Sequence, residues 1–176
     1  MKTVTCQGAS FEVRAIAPHV VRELLQSDDA GRSPVLLTDA EGGSPLRCCL
    51  RPSQAGEQIA LVSYAPLRRW AGEVGASPGP YDEVGPVFIH AAECGGPDGT
   101  GYPSWLAAGR RVLRAYSAEG HILGGRLIAA DPDGSPVPAE SALAEMLADP
   151  AVALVHARAL EFGCFTFEVR RVAEVS

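Results

Sequence analysis

The chain has 176 residues, 47% hydrophobic and 20% charged, which excludes global disorder and allows one core burying roughly 70% of the unfolded surface. A net charge of −6 with a single lysine, Lys2, excludes the basic footprint that duplex nucleic-acid binding needs. No run approaches the roughly 18 apolar residues of a membrane span and the first residues hold no signal-peptide core, so a cytoplasmic protein without nucleic-acid or membrane partners is expected.

Alternation at Phe11, Val13 and Ala15 predicts a strand over residues 10–17. Pro18 suits the first turn of a short helix with Val20, Val21, Leu24 and Leu25 on one side, ended by Asp28, Asp29 and Gly31. Residues 34–38 form a short strand, and residues 46–50 and 58–64 an antiparallel pair across a turn-rich connection. Residues 66–86 are dense in Gly and Pro and are expected to be a loop covering a sheet, followed by a strand over 84–90 and a second Gly/Pro-rich loop over 93–103. Residues 111–116 and 121–128 flank Ser117-Ala118-Glu119-Gly120 as the clearest hairpin. After a loop at 131–136, residues 138–148 form the second helix, with Leu143, Met146 and Leu147 on one face. A last hairpin joins 152–157 to 164–172, with Phe165, Phe167 and Val169 pointing the same way. The expected fold is one α+β domain over 1–176: a curved, mainly antiparallel sheet with two short helices and a long Gly/Pro-rich covering loop.

The five cysteines, Cys6, Cys48, Cys49, Cys94 and Cys164, show no C-x-x-C spacing, which indicates neither a disulfide framework nor a zinc knuckle. Cys48 and Cys49, read as neighbours on a strand, point to opposite faces and are assigned to packing. Cys164 has a nucleophilic reading, with His156 as its base, set against the commoner reading of a buried structural cysteine. No loop has the strand-to-helix setting that cradles a nicotinamide, flavin or nucleotide, so no such cofactor is expected.

The blocks Pro45-Leu46-Arg47-Cys48-Cys49-Leu50, Gly56-Glu57, Pro80-Tyr81 and Gly85-Pro86-Val87-Phe88-Ile89-His90 resemble bacterial domain-of-unknown-function family twelve-oh-three. So do Arg114-Ala115-Tyr116, Asp149-Pro150-Ala151-Val152, His156-Ala157-Arg158 and Gly163-Cys164-Phe165, which extends the resemblance from about residue 45 to the C-terminus. The family implies a domain and points to residues, with no activity attached to them. In the family's pattern a polar residue stands where this chain has Ala157, and a cysteine where it has Leu46.

Strand parity places Arg114 with Tyr116, His156 with Arg158, and Phe88 with His90. Arg47, Tyr81, Arg114 and Arg158 are the candidate substrate-binding residues, guanidinium groups suiting a carboxylate or phosphate. His90, Tyr116 and His156 are the candidates for proton transfer, and Asp82 and Glu83 are weighed as loop acids. The expected function is binding of an anionic small molecule, with cofactor-independent acid/base chemistry on it. A non-catalytic ligand-binding or accessory protein is the alternative, and a homodimer is left open. No metal site is assigned; convergence of His90, His121 and His156 on zinc or iron is the metal-dependent alternative.

Overall fold

The computed structural model describes residues 10–107, 109–129 and 138–172, so Cys6 and the loop read at 131–136 lie outside it. In chain order the elements are β1 (Phe11–Arg14), α1 (Pro18–Leu24), β2 (Val35–Asp39), β3 (Pro45–Leu46), β4 (Arg51–Pro52), β5 (Glu57–Tyr64) and α2 (Pro66–Val74). There follow β6 (Gly85–His90), β7 (Arg111–Tyr116), β8 (Ile122–Ile128), α3 (Ala139–Ala148), β9 (Leu154–Ala159) and β10 (Phe165–Arg171). They form two five-stranded sheets in place of the single sheet expected, in the orders β1-β10-β9-β7-β8 and β2-β5-β6-β3-β4. Pairing is antiparallel except where Leu46 of β3 meets Phe88 of β6 in parallel. The chain therefore starts in the first sheet, leaves it to build the second, and returns at β7. Among the described residues no helix is long and apolar enough to cross a membrane.

Each sheet has its own core. Leu113, Ala115, Val155, Ala157, Phe167 and Val169 share one face of the first sheet and bury it against Ala142, Leu143 and Leu147 of α3. In the second sheet Ile59, Val62, Val87 and Ile89 pack with Val20, Val21 and Leu24 of α1. A shift in register between Phe165 and Phe167 corrects the expectation that both point the same way: Phe167 lies in the first core, Phe165 in the second. One extra residue on a bulged strand turns the next side chain to the opposite face.

The covering loop is corrected as well. Pro66 starts α2, a third helix, and a short 3-10 turn follows at Gly79–Tyr81. Leu67, Trp70 and Ala71 recur at helical spacing and pack on Tyr116 and Leu154 of the first sheet. Pro at the first helical position lacks only a donor that would be unpaired there, and left-handed Gly75 (φ 74°) ends the helix. The Gly/Pro density thus marks both ends of a helix as well as the turns that follow.

The predicted strand at 46–50 is two residues long, and residues 47–50 form a turn. Leu50 takes a left-handed conformation (φ 55°), and its N–H donates to the Leu46 carbonyl at 2.9 Å. Arg47, predicted to bind substrate, is instead a buried clamp between the sheets. Its backbone N–H donates to Phe88 O, its carbonyl accepts from Ile16 N, and its guanidinium donates to Phe165 O (2.8 Å) and to Pro45 O. Among the described residues no carboxylate pairs with this guanidinium, and burial pulls its pKa down to about 10. Arg47→Met should leave those carbonyls without donors and lower unfolding stability by about 3 kcal/mol. Urea denaturation checks this; an unchanged midpoint contradicts the clamp.

Candidate functional site: a thiol and histidine cluster and a buried polar row

Two polar groups stand out on this scaffold. The first lies where the 47–50 turn approaches the end of β6. Because Cys48 and Cys49 sit on a turn, the expectation of opposite-facing side chains is corrected: both sulfurs face His90. His90 Nδ1 lies 3.1 Å from Cys48 Sγ and 3.8 Å from Cys49 Sγ, and the His90 backbone N–H donates to Cys48 Sγ at 3.3 Å. Cys94, four residues on, completes the group. One donor atom from each of Cys48, Cys49, His90 and Cys94 falls within 4.8 Å of the others.

Behind the imidazole stands a carboxylate. Glu57 Oε1 lies 2.9 Å from His90 Nε2 and accepts from Arg51 Nη2 at 2.7 Å. Hydrogen bonding from Arg51, then from the Gln54 N–H, holds the Glu57 carboxyl down at about 2. A hydrogen bond shared between the two holds the Cys49 thiol below its ordinary value and, together with burial, raises that of Cys48. Beside Cys49 opens a cavity of about 530 Å³, walled by Leu50, Arg51, Trp105 and the 96–101 loop, with Trp105 Nε1 donating to Leu50 O at 2.6 Å.

The second group is the face of the first sheet that α2 covers. Antiparallel pairing sets Arg114 opposite His156, and His156 opposite Glu168, so the predicted parity of Arg114 with Tyr116 and His156 with Arg158 yields one continuous row. Arg114 Nη1 and Arg158 Nη1 both reach Glu83 Oε2, at 2.8 and 3.1 Å. His156 is fully buried, its ring 4.8 Å from that of Tyr116 and 5.1 Å from that of Phe165. Its Nε2 donates to Glu168 Oε2 at 3.3 Å, its Nδ1 has no partner among the described residues, and Arg170 links Glu168 to Glu73 of α2.

Of the predicted residues, then, Arg114, Tyr116, His156 and Arg158 come together, while His90 joins the cysteines. Tyr81 stacks on His121 at 5.2 Å between ring centres. The three histidines do not meet: each has a different set of neighbours. Cys164 has the Phe162 carbonyl as its polar contact, at 3.8 Å, and no hydrogen bond joins it to His156. Asp82 is paired with Arg68. The sequence reading missed Cys48, Cys49 and Cys94 as a set; the His90-x₃-Cys94 spacing, of the kind that ligand pairs adopt, was the available signal.

A family model described as "Protein of unknown function (DUF1203)" matches residues 43–171. The chain belongs to this family. Comparison with curated proteins and with solved structures found no match. Both polar groups fall within the matched span, so each is built from family sequence, although the family description attaches no chemistry to either.

Burial holds the His156 imidazole below its ordinary pKa of 6.5 against the pull of Glu168, and neighbouring Arg158 and Arg114 push the same way. Glu168 is depressed as well, its bonds from His156 and Arg170 outweighing burial. As pH falls below about 6.5 the unfolded chain takes up a proton that folded His156 refuses. Stability should therefore be full above that pH and fall below it, by at most about 1.4 kcal/mol per pH unit, before carboxylates begin to titrate. Urea midpoints at pH 7.5 and 5.5 measure the loss. His156→Gln, which keeps a donor for Glu168, should flatten the difference; an equal slope in both proteins contradicts it.

Proposed function

We propose that the protein binds zinc at Cys48, Cys49, His90 and Cys94, and that the metal holds the turn at 47–50 against the loop that follows β6. The observation that carries this is the convergence of three sulfurs and one imidazole nitrogen within 4.8 Å. A tetrahedral ion with Zn–S near 2.3 Å and Zn–N near 2.0–2.1 Å places its donors about 3.6–3.8 Å apart, a spacing this group reaches with small adjustments. Thiolates with one imidazole select zinc over the hard cations that prefer oxygen.

The surroundings support the same reading. Zinc on Nδ1 would put the ring proton on Nε2, where Glu57 accepts it, and Arg51 Nη2, which can only donate and now lies 2.8 Å from Nε2, would turn to Glu57 alone; a carboxylate behind a ligating histidine fixes its tautomer and orientation. Four protein donors leave no open position, so the role is structural and supportive of the cavity beside Cys49. Direct proton transfer by the predicted trio is not favoured: Tyr116 and His156 are buried from any ligand, and His90 faces sulfur.

Elemental analysis of untagged purified protein should find about one equivalent of zinc. Cys49→Ser and His90→Ala should abolish retention through a chelator challenge, and Glu57→Gln should weaken affinity roughly 10–100-fold. Metal removal should lower the melting temperature, as loss of a native-state ligand does. Protein that folds without metal and does not take up added zinc overturns the proposal.

A further inference from the structure

The second polar group holds an ion-pair arrangement that the zinc centre does not use. We infer that Arg114 and Arg158 form a binding site for a small carboxylate with a compact apolar body, and that Glu83 occupies that site in the ligand-free protein as an internal competitor. Both guanidinium groups converge on one oxygen of Glu83, at 2.8 and 3.1 Å. Two cations thus share one anion, a surplus of positive charge at a point where burial is already substantial: Arg158 is 14% exposed and Arg114 26%.

Glu83 itself is 47% exposed and stands in the short link between the 3-10 turn and β6. Half-exposed ion pairs are among the weaker interactions, so an incoming carboxylate can exchange with it at little cost. The position is also next to a place for the rest of a ligand. Arg158 and Glu83 line a cavity of about 340 Å³ together with Tyr64, Pro66, Pro86 and Phe165, a volume suited to a small molecule. Arg158 is held in place there, its Nε donating to Gly163 O at 2.9 Å, while its Nη1 lies 3.1 Å from Glu83 Oε2. A planar fork fixed in this way favours bidentate recognition of a carboxylate.

Benzoate is the probe, with neutral benzamide and inorganic phosphate as comparisons, and binding to the zinc-loaded protein is read by calorimetry and by amide chemical shifts. Wild type should bind benzoate weakly and saturably. Glu83→Gln, which removes the competing charge and keeps the side-chain shape, should bind about tenfold more tightly, a difference of about 1.4 kcal/mol. Arg158→Gln should lose binding by tenfold or more, and Arg114→Gln supplies the same reading if the Arg158 variant does not fold. The shifts should centre on Glu83, Arg158 and Gly163. Equal affinity in wild type and Glu83→Gln, no saturable binding to either, or benzamide binding as well as benzoate overturns the proposal. Tighter binding of phosphate than of benzoate overturns the carboxylate assignment. The outcome does not depend on whether zinc is bound, since chelated protein provides a parallel titration with intact Arg114 and Arg158.

Discussion

The turn at residues 47–50 is the point on which the two sheets and the thiol and histidine cluster both depend. Arg47 ties it to β10 through Phe165 O and to β6 through Phe88 O, and the left-handed Leu50 closes it on Leu46. In an extended strand Cys48 and Cys49 would face opposite ways; the turn gives up that alternation and brings both sulfurs to His90. A non-glycine residue at positive φ is uncommon and costs energy unless its surroundings over-determine it. Here the Leu50 side chain is buried, its N–H is paired and its carbonyl accepts from Trp105, so the unusual conformation is held from three sides.

Pairing lets the chain bury several charged and polar groups, Asp28, Arg47, His156 and Glu168 among them. Arg47 is satisfied by carbonyls, Glu168 by His156 and Arg170, and Asp28 by the N–H groups of Ala30, Arg32 and Ser63. Removing one member of such a set leaves its partner buried and unpaired, which costs more than the pair contributes. The polar row beneath α2 is therefore a matter of register. It fixes how β7, β9 and β10 align, and it delivers Arg114 and Arg158 to the edge where Glu83 and the cavity meet.

Local patterns in the sequence made part of this legible. The hairpin closed by Ser117 to Gly120, helix α3 and the last hairpin follow from turn chemistry and spacing, and period-two parity placed Arg114, Tyr116, His156 and Arg158 on one face. What was hidden depends on distant partners. β3 is two residues long and pairs in parallel with β6 across some forty residues, so nothing local marks where that strand stops and the turn begins. Gly and Pro outweighed the spacing of Leu67, Trp70 and Ala71, although Pro66 and Gly75 are end signals of a helix. The bulge that separates Phe165 from Phe167 is invisible in an unbroken alternating run.

X-ray absorption at the zinc edge tests whether Cys48, Cys49, His90 and Cys94 act as one ligand set. On the purified protein the spectrum should fit three sulfur scatterers at about 2.3 Å and one nitrogen at about 2.0 Å. His90→Ala should remove the imidazole outer-shell signal while sulfur scattering from any residual zinc persists. A first shell made only of nitrogen and oxygen would contradict the claim.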